Sequence, residues 1–271
     1  MPELPEVETT CRGISPHILA MKITDVVVRN RRLRWPVPLA LDKKLIGQII
    51  RKIDRRAKYI LLYTDTGCLI LHLGMSGSLR ITNTNTPAEK HDHVDIVFSN
   101  DKVLRLRDPR RFGSIHWTKA DPYKHRLLTK LGPEPLSNTF NGQYLHECAS
   151  GRTLAIKNFI MDSRIVVGVG NIYANESLFI SGILPRTKTG KVSLARCEKL
   201  ATAIKHILQQ AIGKGGTTLR DFSSAEGKPG YFQQALQVYA RSGQPCFQCS
   251  LPIKQIRLGQ RSTFYCNNCQ K

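Results

Sequence analysis

Two Cys-x-x-Cys pairs near the C-terminus limit how this chain can fold more strongly than any other feature. The pairs are separated by sixteen residues and comprise Cys246, Cys249, Cys266 and Cys269. Four thiolates at this spacing predict a tetrahedral zinc site on a β-hairpin. Because four protein ligands leave no open position on the metal, we expect one structural zinc ion. Redox use of a Cys-x-x-Cys pair is the alternative, but no thioredoxin-like pattern of strands and helices surrounds it.

The charge of the chain indicates a polyanionic partner. Its 271 residues include 41 Lys and Arg against 20 Asp and Glu, for a formal net charge of +21. This imbalance favours nucleic acid first and an anionic membrane surface second. The sequence contains no basic amphipathic segment and no apolar run long enough for a transmembrane helix. Acidic residues stand where a signal peptide would be basic, so we expect a cytoplasmic protein.

The hydrophobic pattern changes from strand-like to helical along the chain. Apolar residues at helical spacing predict a first helix from Pro5 to Ile18. Short alternating segments then predict an antiparallel sandwich or barrel. The predicted strands are 22–30, 45–53, 58–64, 68–73, 94–98, 103–107 and 114–118. Prolines and glycine at 131–135 predict a linker. The helices predicted beyond it are 142–148, 153–161, 171–180 and 193–212.

The N-terminal residues offer a nucleophile. Removal of Met1 would leave Pro2 with a free secondary amine, and α-amino groups have pKa values of roughly 7.7–8.0. Part of this amine is unprotonated at neutral pH and can form a Schiff base with an electrophilic carbon. Glu3 would be the nearest acid or base. The alternative is a solvated tail ahead of a helix, which composition alone favours because acids are common at helix starts.

A glycine-containing turn leads into the predicted helix that Asn171 heads. Its sequence, residues 166–176, contains Gly168 and Gly170 directly before the helix. Backbone N–H groups at a helix start can bind a phosphate group. A tight connection between two helices is the alternative. The turn is no dinucleotide fingerprint, because no strand–helix–strand unit surrounds it.

The N-terminal segment, the glycine turn and the four-cysteine tail occur in this order in one family. The chain resembles the bacterial formamidopyrimidine-DNA glycosylases over essentially its whole length. Further matching motifs lie at 56–59, 72–78, 90–93, 108–113 and 260–266. The resemblance implies an α+β fold with an N-terminal antiparallel β-sandwich domain and flanking helices at 1–131. It also implies a helix–two-turn–helix domain at 132–236 and a β-hairpin zinc finger at 237–271.

The resemblance further implies an enzyme of base excision repair that acts as both DNA glycosylase and abasic-site lyase. Its substrates would be oxidised purines such as 8-oxoguanine and formamidopyrimidines. Pro2 would attack C1′ of the damaged nucleotide and hold the sugar as an iminium, while Glu3 moves protons. Lys58 would assist elimination on the 3′ side and Arg261 elimination on the 5′ side.

DNA-binding residues are implied in the same way. Met75, Arg110 and Phe112 would fill the space that a flipped base leaves, since flipping exposes a hole in the stack. Without the resemblance, core packing would be the expectation for Met75 and Phe112. The residues implied to contact the DNA backbone are His91, Arg152 and Asn171, and residues 217–231 would close over the flipped base. The implied partner is double-stranded DNA with oxidised purines, bound by a nucleoid-associated monomer with no small-molecule cofactor.

Two other functions stay open at this point. A zinc-finger protein that binds DNA without catalysis is the first, and retention of Met1 would favour it. The second is the related endonuclease VIII branch, which prefers oxidised pyrimidines and shares Pro2, Glu3 and the finger. The set of Met75, Arg110 and Phe112 favours the purine branch. Ser163 departs from the Gln or Asn expected at its place, outside the catalytic set.

Overall fold

The computed structural model describes residues 2–216 and 236–271. The chain divides into two compact units with a boundary between Thr129 and Lys130. The first unit also takes in the described residues from Lys214, and the second contains the C-terminal residues. Across the described ranges, no helix has the length and apolar character that a membrane crossing requires.

The first unit is an antiparallel β-sandwich with helix α1 (Leu4–Ile18) against it. Its other elements are β1 (Ile23–Val28), α2 (Leu41–Leu45), β2 (Lys52–Arg56), β3 (Tyr59–Tyr63), β4 (Cys68–His72), β5 (Ser78–Asn83), β6 (Asp92–Phe98), β7 (Lys102–Arg107) and β8 (Ser114–Thr118). One sheet has the order β1-β6-β7-β5 and the other β2-β3-β4-β8. The predicted sandwich is therefore confirmed.

Strand alternation explains the core of this unit. Ile60 and Leu62 on β3 lie beside Leu69 and Leu71 on β4, and all four are buried. Helix α1 adds Val7, Cys11, Ile14 and Ile18 to the same cluster at helical spacing. Full burial of one such aliphatic side chain contributes about 1.5–3 kcal/mol. The shared cluster fixes α1, and with it the N-terminus, against the sheets.

Two local predictions for this unit are wrong. Residues 45–53 do not form one strand, because α2 ends at Leu45 and β2 begins only at Lys52. The isoleucine content of the segment favours a strand, but Gly47 has φ +88° and turns the chain between the buried Leu45 and Ile50. Strand β5 was not predicted, because polar residues outnumber Leu79 and Ile81 within it.

The second unit is helical and ends in a β-hairpin. It contains α3 (Gly142–Ala149), α4 (Ile156–Ile160), α5 (Asn171–Ile180), α6 (Leu194–Gly213), β9 (Lys254–Leu258) and β10 (Arg261–Tyr265). Helix α5 has the predicted bounds, whereas α4 is shorter than predicted because Ala155 pairs with Lys188 in a β-bridge. Ser163 is exposed, and its carbonyl accepts a hydrogen bond from the Gly132 N–H.

The finger is joined to the helices of this unit by a shared apolar cluster. Phe179 of α5 packs with Val238, Ile253, Phe264 and the cysteine Cys246. Glu176 of α5 is fully buried, and its carboxylate accepts N–H donation from three consecutive residues ahead of the finger. These residues are Gln237, Val238 and Tyr239. Helix α5 is thus a common support for the finger and for the chain that enters it.

Candidate active site and metal centre

The N-terminal residues are part of the folded first unit. Pro2 is buried, and the side chains of Glu3 and Glu6 are 2% and 1% exposed. The Glu6 carboxylate accepts a hydrogen bond from the Glu3 N–H at 2.8 Å, as in a capping box at the start of α1. The interpretation of these residues as a solvated tail is therefore wrong. Their acidic side chains are buried at the positive end of a helix, which favours negative charge.

Lys58 lies in the two-residue turn between β2 and β3. Ala57, its neighbour in the turn, has φ +56°, a conformation that costs an alanine about 1–2 kcal/mol. Arg55 offsets this strain by donating to the Ala57 carbonyl at 3.0 Å. The same guanidinium donates to Glu8 of α1 at 2.9 Å. Arg55 thus ties the beginning of α1 to the turn that carries Lys58.

His72, at the end of β4, lies close to Lys58 and is electrically neutral at physiological pH. Burial, together with the positive charges of Lys58 and Arg34, lowers the pKa of His72 to about 4. Its Nδ1 accepts a hydrogen bond from the Gly74 N–H at 3.0 Å. The proton of the neutral ring therefore lies on Nε2. His72 is thus an uncharged donor close to the turn of Lys58. Sequence reasoning assigned His72 no role.

Two turns of the first unit carry the three side chains expected to fill the hole in DNA. Met75 is half-buried, whereas Arg110 and Phe112 are exposed, Phe112 by 43%. The Arg110 guanidinium stacks over the Phe112 ring at 4.9 Å from its centroid. A fixed pair of a cation and an aromatic ring on the surface is unlike core packing, so that alternative is wrong for Phe112. His91 is half-buried and precedes β6.

A buried network holds the loop that leads to His91. The Arg105 guanidinium donates to both carboxylate oxygens of Asp95 at 2.9 Å. It also donates to the carbonyls of Thr86 and Pro87, which belong to that loop. Because Arg105 is only 6% exposed, these bonds are shielded from water. Arg105 lacked any distinguishing signal in the sequence.

In the second unit, the Arg261 strand is held against α4 and α5. Asn171 donates through Nδ2 to the Ser262 carbonyl at 3.1 Å. Lys157 is fully buried, and its Nζ donates to the same carbonyl at 3.0 Å and to Thr263 Oγ1 at 2.6 Å. Arg261 itself is exposed at the start of β10. Asn171 and Lys157 therefore fix the backbone next to Arg261 while its side chain faces outward.

Arg152 is exposed in the second unit, and its guanidinium lies 5.6 Å from the centroid of the Phe159 ring. The ring restricts where the cation can reach without neutralising it.

The predicted site residues are thus divided between the two units. Residues 217–231, expected to close over a flipped base, lie outside the described residues.

The four cysteines of the tail form one cluster with the dimensions of a zinc site. Their Sγ atoms all lie within 4.8 Å of one another. The Sγ atoms of Cys246 and Cys269 are 3.9 Å apart, and those of Cys249 and Cys266 are 3.4 Å apart. A tetrahedron with Zn–S bonds of about 2.3 Å has edges of roughly 3.8 Å. The Leu251 N–H lowers the pKa of Cys249 to about 7, which favours the thiolate that zinc requires.

Comparison with known proteins gives the same assignment in every part of the chain. Residues 1–115 match the formamidopyrimidine-DNA glycosylase N-terminal domain, and 131–223 match the H2TH domain of that family. Residues 243–271 match a zinc finger found in FPG and IleRS. A formamidopyrimidine-DNA glycosylase of Methylococcus capsulatus is 58% identical over 271 residues, which is 100% of both chains. The chain belongs to the formamidopyrimidine-DNA glycosylase family. Its members are DNA-repair glycosylases that act on damaged bases.

Solved formamidopyrimidine-DNA glycosylases share the fold. A mutant of the Lactococcus lactis protein, in complex with Fapy-dG DNA, is 34% identical, with 100% coverage of both chains and a TM-score of 0.93. The L. lactis protein with abasic-site DNA is 35% identical, with 99% coverage of both chains and a TM-score of 0.92. The predicted α+β class and the single structural zinc of the finger are confirmed. The finger chelates zinc through Cys246, Cys249, Cys266 and Cys269.

Proposed function

We propose that this formamidopyrimidine-DNA glycosylase excises oxidised purines, including 8-oxoguanine, and then cleaves the strand as an abasic-site lyase. The observation that carries this proposal is the buried start of α1, where Pro2 and Glu3 lie. Arg55 ties this helix, through Glu8, to the hairpin of Lys58. A buried N-terminus with a neighbouring carboxylate and cation is suited to covalent chemistry with a free amine.

The reaction begins once Met1 has been removed. The Pro2 nitrogen forms a bond to C1′ as the glycosidic bond breaks, and the base leaves with a proton that Glu3 delivers. The C1′–O4′ bond of the sugar then breaks, the proton of the attacking amine passes to O4′, and the opened sugar remains as an iminium on Pro2. Loss of a C2′ proton then expels the 3′ phosphate, with Lys58 beside that group. A second elimination expels the 5′ phosphate, assisted by Arg261. The product is a gap of one nucleoside bounded by phosphates.

The remaining residues bind and open the duplex. His91, Arg152 and Asn171 contact backbone phosphates, and the zinc finger holds Arg261 in reach of those that flank the lesion. Met75 and Phe112 occupy the emptied stack, as apolar wedges do in kinked DNA. Arg110 donates to the orphaned base, which we take to be cytosine. The protein works as a monomer on nucleoid DNA, with domains at 1–131, 132–236 and 237–271.

Borohydride trapping tests the chemistry. The protein is mixed with a duplex that contains 8-oxoguanine opposite cytosine, borohydride is added, and the crosslinked peptide is mapped by mass. We expect a crosslink at Pro2 and a sharply reduced yield in Pro2→Gly, which replaces the secondary amine by a primary one. Intact mass must show the loss of Met1.

Other results would contradict the proposal in distinct ways. A crosslink at a lysine would remove Pro2 from the mechanism. Trapping only with an oxidised pyrimidine would keep the chemistry and change the substrate class. Tight binding without trapping on either lesion would leave a DNA-binding protein without catalysis.

A further inference from the structure

The three side chains that fill the DNA stack come from two turns that are distant in sequence. Met75 lies between β4 and β5, whereas Arg110 and Phe112 lie between β7 and β8. For all three to enter one gap, the two turns must keep a fixed spacing. The hydrogen bonds at Asp108 provide that spacing.

Asp108 is a fully buried carboxylate that serves both turns at once. Its Oδ1 accepts a hydrogen bond from the Ser76 hydroxyl at 2.9 Å. Its Oδ2 accepts from the Gly113 N–H at 2.7 Å. Ser76 Oγ in turn accepts from the Arg110 N–H at 3.2 Å. We call these four residues, Ser76, Asp108, Arg110 and Gly113, the brace.

The backbone around the brace is packed too closely to adjust by itself. Gly74 has φ +64°, and a Cβ there would lie 2.5 Å from the Gly113 nitrogen and 2.6 Å from the Phe112 oxygen. Arg111 has φ +57°, a strained conformation for a non-glycine residue. Its N–H donates to the Asp108 carbonyl, which also lies 2.8 Å from His93 Nε2. Asp108 therefore holds this strained turn through both its side chain and its backbone.

We propose that Asp108 and Ser76 are positioning residues. They hold in place the side chains that fill the space left by the flipped base and that recognise the base opposite the lesion. Through the brace they fix Arg110 and Phe112 relative to Met75. This inference rests on the proposed function, because it needs those three side chains to enter the stack. It assigns neither Asp108 nor Ser76 a role in the chemistry at Pro2.

Two substitutions break the brace without changing its size much. Ser76→Ala leaves Asp108 Oδ1 and the Arg110 N–H without their partner. Asp108→Asn has one acceptor oxygen, so either the Gly113 N–H or the Ser76 hydroxyl faces an amide NH₂ instead. Ser78→Ala is the matched control, because Ser78 is 4% exposed and Ser76 6%, and the Ser78 hydroxyl is outside the brace.

The test compares a substrate that needs void filling with one that does not. Excision of 8-oxoguanine opposite cytosine should fall about tenfold in both brace variants, the size expected when a buried hydrogen bond is broken. Cleavage of a single-stranded abasic oligonucleotide should stay within about twofold of wild type, since no base is flipped there. The ratio of the excision rate opposite cytosine to that opposite adenine should fall by a similar factor. Ser78→Ala should behave as wild type on both substrates.

Equal losses on duplex and single strand would show a merely structural role and overturn the inference. An unchanged duplex rate with an unchanged opposite-base preference would also overturn it. A wild-type protein inactive on both substrates would instead refute the proposed function, and the inference with it. Ser76→Ala removes only a hydroxyl, so it decides the question if Asp108→Asn does not fold.

Discussion

Gly74→Ala would test how closely the two turns approach each other. The new methyl group meets two obstacles. The first is the backbone conformation, since φ is +64°. The second is the opposing turn, because Cβ would lie 2.5 Å from the Gly113 nitrogen and 2.6 Å from the Phe112 oxygen. Both atoms belong to backbone, which cannot swing away as the end of a side chain can.

The magnitude follows from three contributions. A left-handed alanine costs about 1–2 kcal/mol. The lost freedom of the unfolded chain returns about 0.4–1 kcal/mol. Forced movement of packed atoms adds about 1–3 kcal/mol. We therefore expect Gly74→Ala to lower the free energy of unfolding of the first unit by about 1–5 kcal/mol, the sum of these contributions. Gly47→Ala isolates the conformational term, because Gly47 has φ +88° and nothing within 4 Å of its Cβ position.

Urea unfolding followed by tryptophan fluorescence measures this difference. The chain has two tryptophans, Trp35 and Trp117, and both lie in the first unit, so the signal reports on that unit. Gly74→Ala should unfold at clearly lower urea than Gly47→Ala, with similar slopes. Equal midpoints for the two variants would refute the close approach of the turns, and with it the packing on which the brace depends.

Three further outcomes are expected. Cys249→Ser should release zinc to a chelating dye and weaken DNA binding, whereas Cys148→Ser, outside the cluster, should retain both; full affinity without zinc would contradict this. Arg105→Met should destabilise the first unit by about 1.5–3 kcal/mol in urea unfolding, because the buried Asp95 carboxylate loses its bonds to Arg105 and keeps the one to Arg29, while loss of the exposed Arg51–Asp65 pair in Arg51→Met should leave the midpoint close to that of wild type. Stability of the first unit should fall as pH drops from 6.5 towards 4, because His72 and His116, whose pKa values in the folded unit are about 4, take up a proton in the unfolded chain but not in the folded one; His72→Gln should reduce this slope in urea titrations by the share of one histidine, and an unchanged slope would remove His72 as one of its sources.

The sequence predicts elements well where the signal is local. Helix α5 has the predicted bounds because Gly170 precedes it and apolar residues fill it to Ile180. The prediction for 45–53 fails because isoleucine favours a strand by composition, whereas Leu45 and Ile50 reach the core from the end of a helix and from the irregular segment after Gly47. Alternation gives the side that a residue faces, whereas only the fold shows whether the backbone between two such residues is straight.

Motifs pointed to the proposed catalytic residues and to the metal ligands, but not to the residues that support them. Lys157 looks like any helical lysine, although its partners Ser262 and Thr263 lie more than one hundred positions away. Arg105 and Asp108 likewise act on groups brought close only by sheet pairing. Glu3 and Glu6 resemble solvated acids until the capping box buries them. Long-range hydrogen bonds leave no periodic trace in a single sequence, so these roles required the structure.

Because α5 supports the finger, the zinc-binding segment is not an independent module. Glu176, Phe179 and Lys157 lie outside the finger by sequence. Glu176 accepts hydrogen bonds from the chain that enters the finger, Phe179 completes its apolar cluster, and Lys157 holds the strand of Arg261. A finger transplanted alone would keep its metal ligands and lose the surface that aims its arginine. Correct placement of Arg261 therefore requires that the finger and α5 stay together. A recombination breakpoint at the end of the helical region would separate the two.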